Sequence, residues 1–162
     1  MRPLSLVMSA GNKLLDTLPP KAQSRAWQAM QSSHLALFRV SGRRLGTHLG
    51  GVTVLFLHHF GAKSGVERIS PLLYVEDGRN LAIVASKGGH VKHPAWFHNL
   101  KAHPDVRVEM RGEVRNVKAR IASGDERERL WKKAVKIWPD YETYQRRAPH
   151  REIPVVVLEP RA

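Results

Sequence analysis

The sequence predicts a small antiparallel β-barrel of the α+β class, and three observations lead to that prediction. Strand-like segments begin near residue 52 and recur to the end of the chain. Two helical patterns interrupt them, which is typical of antiparallel strands with inserted helices. The 162 residues, of which 42% are hydrophobic, are enough for one domain with a buried core.

The segment before the strands differs from the rest of the chain. Residues 1–45 are basic and helical in pattern, and the barrel is expected in residues 46–162. Apolar residues at helical spacing predict one helix that ends at Pro19 and a second helix over residues 21–38. These helices either pack on the domain or form a basic amphipathic element that contacts a membrane surface.

The strands are predicted from apolar runs, alternation and turn signals. Asp77-Gly78 is a strong hairpin turn, and Gly112 divides a long alternating segment into two strands. These features give about six strands, in residues 52–57, 68–86, 106–122 and 153–160.

Two helices lie between the strands. The first begins at Pro94, a favoured first helical position, and ends before Pro104. The second opens with Ser123 and Glu126 in the spacing of a capping box and stops before Pro139.

The excess of positive charge indicates which classes of ligand the protein would attract. It holds 27 Lys and Arg against 14 Asp and Glu, a formal charge of +13, which favours nucleic acid, an acidic membrane or an anionic small molecule. It holds no cysteine, which excludes disulfides, thiolate nucleophiles and cysteine-bound zinc.

Two glycine- and lysine-containing turns follow predicted strands. GAKSG (61–65) and SKGG (86–89) can each present backbone N–H groups and a lysine to an anion, and Arg68 adds a further positive charge. Each turn alone is equally compatible with an ordinary polar hairpin turn. Their joint occurrence in a basic barrel favours a phosphate-binding function.

The histidines do not predict a metal site. His58 and His59 are adjacent in a strand and point to opposite faces, while His93 and His98 are five positions apart. Acid–base machinery is also sparse, which leaves the hydroxyls of Ser86, Tyr141 and Tyr144 as hydrogen-bond donors. A cofactor would then have to supply the reactive chemistry.

The order and spacing of several motifs resemble one family. GAKSG, RISPLLYV, VASKGG, HPAWFHNL, WPDYETYQ and REIPVVVLEP, spread over residues 50–160, resemble the deazaflavin-dependent nitroreductase family. The resemblance implies a split β-barrel, similar to flavin-mononucleotide-binding barrels, that uses coenzyme F420 and no metal. It further implies hydride transfer to a quinone-like acceptor, with nitro compounds reduced as a side reaction.

The resemblance also assigns roles to individual residues. The phosphate and oligoglutamate tail of the coenzyme would meet Lys63, Ser64, Arg68 and Lys87. The deazaflavin ring would contact Pro71, Leu72, Val84, Ala85 and Ser86, and the helix would contribute Ala95, Trp96 and Asn99. Tyr141 and Tyr144 would cover the substrate side, with Ser86 and Tyr141 donating hydrogen bonds to the acceptor. Further cofactor contacts are expected at Ala62, Ile69, Ser70, Leu73, Phe97 and His98.

Three departures from the family pattern bear on the substrate. Ala62 stands where arginine is usual, Trp138 stands where tyrosine is usual, and residues 58–60 replace a threonine-rich approach. The histidines of the second turn, His90 and His93, are expected to be bystanders. Two alternatives remain open, an FMN-binding barrel and a non-catalytic module that binds anions or nucleic acid. The resemblance favours a cytoplasmic protein without a nucleic-acid partner, with residues 1–45 covering the pocket or contacting the inner face of the membrane.

Overall fold

The computed structural model describes residues 52–162 continuously, together with His48–Leu49 and six positions between 19 and 36. By internal contacts the chain forms two compact units, Met1–Val54 and Leu55–Ala162. Five of the six early positions are helical, as the second predicted helix requires: Ala22, Arg25, Ala29, Ser33 and Ala36. The helix predicted before Pro19 lies outside the described residues. Along the described part of the chain, no helix is long and apolar enough to cross a bilayer.

The described residues form a sheet of seven strands, and all pairings with assigned register are antiparallel. Within the first unit, the short β1 pairs with the start of β2, with His48 opposite Thr53. The strands in chain order are β1 (His48–Leu49), β2 (Val52–Phe60), β3 (Glu67–Asp77), β4 (Asn80–Val84), β5 (Asp105–Met110), β6 (Glu113–Ile121) and β7 (Val155–Pro160).

Six of these strands close into a barrel. Neighbours follow the order β2-β3-β4-β7-β6-β5, and β5 pairs back onto β2 through Leu57 opposite Val108. Closure pairs both edges of the sheet, which removes the exposed edge that an open sheet would present. The predicted antiparallel barrel is therefore confirmed.

The barrel core follows from the alternation of side chains along each strand. Val106, Val108 and Met110 of β5 alternate with exposed or polar residues and lie in one buried cluster. Leu55 and Leu57 of β2 join the same cluster, fully buried. Large apolar side chains at this spacing supply the main driving force for folding through the surface that they remove from water.

Within residues 52–162, three α-helices and one 3-10 turn accompany the strands. The helices are α1 (Ala95–Ala102), α2 (Gly124–Ile137) and α3 (Asp140–Arg147), and the 3-10 turn spans Lys87–Gly89. Trp96, Phe97 and Leu100 of α1 are buried in the barrel cluster, so this helix packs against the core. Helix α3 was not predicted, because Pro139 marks the end of the preceding predicted helix, whereas it also immediately precedes a new helix.

Two expectations about local structure were wrong. Ser123 precedes α2 without a capping hydrogen bond from its side chain, and Glu126 instead accepts two hydrogen bonds from Arg120 at 2.6 and 2.8 Å. A bidentate bond to guanidinium is stronger than a reciprocal cap to a backbone N–H, so the capping box does not form. Strand β2 also continues to Phe60, three residues beyond the predicted end at residue 57, and it includes both adjacent histidines, as expected.

The β3–β4 hairpin is fastened to α2 by an ion-pair group. Asp77, at the end of β3, accepts hydrogen bonds from Arg129 and from Lys133, the latter at 2.8 Å. These hydrogen bonds hold the pKa of the Asp77 carboxyl well below its usual range. The hairpin and the helix are thereby fixed to each other next to β4.

Candidate functional site

The Gly61–Gly65 turn leaves β2 and closes on itself. Gly61 N–H donates to the carbonyl of Val66 at 2.9 Å, and Gly65 N–H donates to the carbonyl of Gly61 at 2.8 Å. A Cβ at Gly61 would lie 2.3 Å from Ser64 Oγ, so only glycine fits there without displacing that side chain. The turn therefore projects Ala62, Lys63 and Ser64 outward, and all three are exposed.

A chain of hydrogen bonds anchors this turn to α1 and β3. Ala62 N–H donates to Asn99 Oδ1 at 2.9 Å, and the Asn99 amide donates to His59 Nδ1, also at 2.9 Å. His59 Nε2 lies 3.0 Å from Ser70 Oγ. Both Asn99 and His59 are buried, so these groups replace hydrogen bonds that water would otherwise supply.

The environment of His59 keeps its imidazole neutral. Burial, followed by the electrostatic influence of Arg68 and of His58, lowers the pKa of His59 to about 4. A neutral ring can accept a hydrogen bond at one nitrogen and donate from the other, as the contacts to Asn99 and Ser70 require. The sequence reasoning did not include His59 in the site, and nothing in its spacing would have indicated it.

The second turn has a left-handed backbone at three successive residues. Lys87, Gly88 and Gly89 have φ of +48°, +63° and +80°. A Cβ at Gly89 would lie 2.7 Å from the carbonyl oxygen of Tyr144, so α3 packs directly on this turn. A non-glycine residue at positive φ is uncommon, and Lys87 adopts it two residues before Gly89, the glycine that packs against α3.

Arg151, just before β7, fixes the segment around this turn. Its guanidinium donates to the carbonyl of Ser86 at 2.9 Å, to the carbonyl of His90 at 2.9 and 3.0 Å, and to His93 Nδ1 at 3.0 Å. To these contacts His90 contributes only its backbone carbonyl and His93 contributes its ring, so the expectation that these histidines take no part in function stays a prediction. Arg151 was not predicted as a site residue because it lies 58 to 65 positions from these partners.

The charges around this turn are positive and lack carboxylate partners. Burial, with the nearby cations Lys92 and Arg151, lowers the pKa of Lys87. Among the ion pairs between described residues, none joins Lys87, Lys92 or Arg151 to an acidic side chain. Uncompensated, partly buried cations of this kind attract an anion.

Helix α3 carries two tyrosines, of which Tyr141 lines an apolar crevice and Tyr144 lies next to Tyr141. The Tyr141 ring lies 6.1 Å from the rings of Trp131 and of Tyr144, and burial raises the pKa of its hydroxyl. Tyr141 therefore stays protonated at neutral pH and able to donate a hydrogen bond. The crevice is lined by Leu73, Tyr74, Val75, Ala82, Val84, Ala134, Ile137 and Tyr141.

Tyr144 is more constrained than Tyr141. Its hydroxyl lies 3.4 Å from Trp138 Nε1, which donates to it, and its backbone contacts Gly89. Trp138 is buried, so the residue that departs from the family pattern packs beneath Tyr144.

The other adjacent histidine lies in a separate ionic cluster. His58 Nδ1 is 3.1 Å from Glu67 and His58 Nε2 is 2.9 Å from Glu109, while Arg107 pairs with Glu67 at 2.8 Å. His58 and His59 thus contact different partners, as expected for neighbours that point to opposite faces of a strand. The described residues contain no group of three or more His, Cys, Asp and Glu side chains that could hold a metal ion.

Apart from Ser86, the predicted site residues fall into five groups. Hydrogen bonds join Ala62, Ser70 and Asn99 through His59, while packing of Gly89 on α3 joins Lys87 to Tyr144. Leu73, Val84 and Tyr141 share the crevice. The barrel core takes up Ala85, Trp96 and Phe97, with Leu72 packed against it. The remaining positions are exposed or half-buried without an ion pair to a described residue: Lys63, Ser64, Arg68, Ile69, Pro71, Ala95 and His98.

Sequence comparison gives a consistent set of relatives. The profile of the family described as F420H(2)-dependent quinone reductase matches residues 30–160. An F420H(2)-dependent quinone reductase of Mycobacterium tuberculosis is 39% identical over 129 residues, which cover 77% of this chain and 86% of the relative.

Solved structures agree with this result. The F420-H2 dependent reductase FDR-A is 44% identical, with a TM-score of 0.61, covering 65% of this chain and 93% of that one. A chain described as a domain-swapped dimer is 38% identical, with a TM-score of 0.64, covering 84% of this chain and 99% of that one. The resemblance inferred from the motifs is therefore confirmed.

Proposed function

Because the chain belongs to the F420H(2)-dependent quinone reductase family, we propose that it transfers a hydride from reduced F420 to a quinone-like acceptor. One structural observation supports this proposal above the others. A turn carrying uncompensated cations packs through Gly89 on α3, the helix that brings Tyr141 to an apolar crevice. Positive charge next to an apolar crevice suits a ligand that is both anionic and aromatic.

The anionic part of the coenzyme fits the two turns. F420 carries a phosphodiester and an oligoglutamate tail, and Lys87 with Lys92 and Arg151 would balance their charge. Lys63 and Arg68 are exposed and form no ion pair with a described residue, so they are available for the same purpose. We assign the phosphate and the tail to these five cations.

We assign the aromatic part to the apolar positions between β3, β4 and α3. Leu73, Val84 and Tyr141 border the crevice there. Ser86 follows β4, is nearly buried, and makes no capping hydrogen bond to the 3-10 turn that it precedes. Its hydroxyl is therefore available to a ligand, and we assign the deazaflavin ring to this region.

Reduced F420, when bound, supplies the hydride. The protein contributes position and hydrogen bonding, because its described site contains hydroxyls rather than paired carboxylates. Tyr141 holds its proton at neutral pH and can donate a hydrogen bond to the acceptor oxygen where negative charge develops. Ser86 would provide a second donor, and the buried side of α3 would exclude water.

The acceptor pocket differs from the family pattern where Trp138 is buried under Tyr144. An indole is larger than a phenol and directs its N–H to the Tyr144 hydroxyl instead of to a ligand. We infer that quinones are reduced faster than nitro compounds, since a planar carbonyl acceptor needs fewer donors than a nitro group.

A peripheral membrane contact through residues 1–45 is a further part of the proposal. The segment is basic with apolar residues at helical spacing, and long-chain quinones partition into lipid. Flotation of the full chain with anionic and with uncharged phospholipid vesicles tests this point. Binding to anionic vesicles that the substitutions Leu14→Ser and Leu15→Ser abolish would support it, and equal recovery with both lipids would contradict it.

The decisive experiment is steady-state oxidation of reduced F420 with a panel of quinones and nitro compounds. We expect turnover with quinones, saturable binding of F420 and no binding of FMN. Binding of FMN alone would favour a flavin barrel instead, and salt-sensitive binding of an oligonucleotide alone would favour a non-catalytic module.

A further inference from the structure

Four hydrogen-bonding groups form a continuous chain from the Gly61–Gly65 turn to β3. Ala62 N–H contacts Asn99, Asn99 contacts His59, and His59 contacts Ser70, with distances of 2.9, 2.9 and 3.0 Å. This series of hydrogen bonds runs from the turn to α1, then to β2 and finally to β3. It joins residues that lie up to 40 positions apart in the sequence.

Its direction is fixed at the first link. A backbone N–H can only donate, so the Asn99 oxygen faces Ala62 and the Asn99 amide NH₂ faces His59 Nδ1. Nδ1 then has to accept, which leaves the hydrogen of the neutral imidazole on Nε2. That hydrogen is donated to Ser70 Oγ, and the hydrogen of the Ser70 hydroxyl is not used by the chain.

We propose that His59 is a positioning residue for coenzyme binding. Through Asn99 it holds the turn that carries Lys63, and through Ser70 it presents a hydroxyl hydrogen to the bound coenzyme. The inference rests on the proposed function, because F420 is the ligand that this turn and Ser70 would contact.

The groups that face His59 favour this arrangement. Arg68 on β3 and His58 on β2 both oppose a second proton on the ring, and burial acts in the same direction. No carboxylate contributes to the shift in the pKa of His59, which lies at about 4. The hydrogen bonds through His59 therefore keep the same donor-to-acceptor direction throughout the neutral pH range.

The substitution Asn99→Asp tests the direction. A carboxylate accepts from Ala62 but cannot donate to His59, so it raises the pKa of His59 and favours the doubly protonated ring. Above that pKa the remaining hydrogen moves to Nδ1, and Nε2 then accepts the hydrogen of Ser70. Coenzyme affinity in the variant should therefore fall about tenfold as pH rises through the new His59 pKa, whereas the wild-type affinity stays constant between about pH 5.5 and 8.

A double variant separates this effect from the simple loss of one positive charge. In Ser70→Ala/Asn99→Asp no hydroxyl hydrogen is left to redirect, so its affinity should be weak and nearly independent of pH. The same pH slope in the single and the double variant would overturn the proposal. His103→Gln, an exposed histidine after α1, is the control and should bind F420 as the wild type does.

Histidine NMR titration of the full chain gives a readout that needs no coenzyme. The wild type should show His59 as the Nε2–H tautomer at neutral pH, and Asn99→Asp should show a raised pKa. If the wild type does not bind F420, the proposed function fails, but this titration still tests the direction of the hydrogen bonds through His59. If the wild type binds and Asn99→Asp binds equally well at all pH values, the positioning role fails and the proposed function stands.

Discussion

Arg151 Nη2 lies 2.9 Å from the carbonyl oxygen of Ser86, the residue that precedes the cationic turn. The same guanidinium reaches the carbonyl of His90 beyond that turn, so one side chain clamps both ends. Guanidinium suits this task because its planar fork directs several N–H groups at once, whereas an ammonium group is a point charge.

Arg151→Lys should therefore weaken coenzyme binding although the charge is kept. We expect the KM for reduced F420 to rise about tenfold, with a smaller change in kcat, since about one to two hydrogen bonds are lost at the turn. Arg127→Lys is the matched control, because Arg127 also donates to a carbonyl, that of Ile153, away from the turn. Equal effects of the two substitutions on KM would show that Arg151 acts only through stability.

Gly89→Ala should destabilise the protein more than Gly88→Ala. Both glycines have positive φ, but a Cβ at Gly89 meets the Tyr144 carbonyl at 2.7 Å, while a Cβ at Gly88 meets nothing within 4 Å. The expected losses are about 3 and about 1 kcal/mol in the free energy of unfolding. Urea denaturation measures both, and similar losses would mean that α3 yields easily at this contact.

Tyr141→Phe should lower kcat with little change in the melting temperature. The hydroxyl is buried and protonated, and removing a hydrogen-bond donor to developing negative charge costs about a hundredfold in rate. Tyr144→Phe should cost less, because the Tyr144 hydroxyl is already engaged by Trp138. A larger loss for Tyr144 than for Tyr141 in steady-state assays would reverse this assignment.

Stability should fall as pH decreases from about 6.5 to about 4. His59 has its ordinary pKa of 6.5 in the unfolded chain and about 4 in the folded protein. Between these values the unfolded chain binds a proton that the folded protein does not, so lowering the pH favours unfolding. Denaturant titrations from pH 4 to 7 should show this slope in the wild type and a smaller one in His59→Gln. An unchanged slope in the variant would assign it to other groups.

The elements with strong local signals were predictable. Asp77-Gly78 determines a hairpin through backbone conformation alone, and Pro94 before an apolar helical pattern marks the start of α1. Helix α3 was missed because Pro139 follows a completed helix and because only Tyr141 and Tyr144 are buried on it, too few residues for a clear period.

The site was predictable only where its residues belong to motifs. Lys87 and Tyr141 lie in segments that the family resemblance covers, whereas His59 and Arg151 act through partners up to 40 and 66 positions away. Such contacts depend on the pairing register of the barrel, and register is set by packing of whole strands rather than by local sequence. The division of the chain at residue 45 stays a prediction, as does the role of the segment before it.

The position of β7 has a consequence for synthesis of the protein. It lies between β4 and β6 in the barrel, with Leu81 opposite Leu158, yet it follows all the other strands in the chain. Strand β7 therefore leaves the ribosome after both of its neighbours, and until then β4 and β6 have no partner on that side. Arg151 emerges just before β7, so the cationic turn gains its clamp in the same final stage. A nascent chain stalled earlier would expose two unpaired strand edges, which chaperones would have to shield from aggregation.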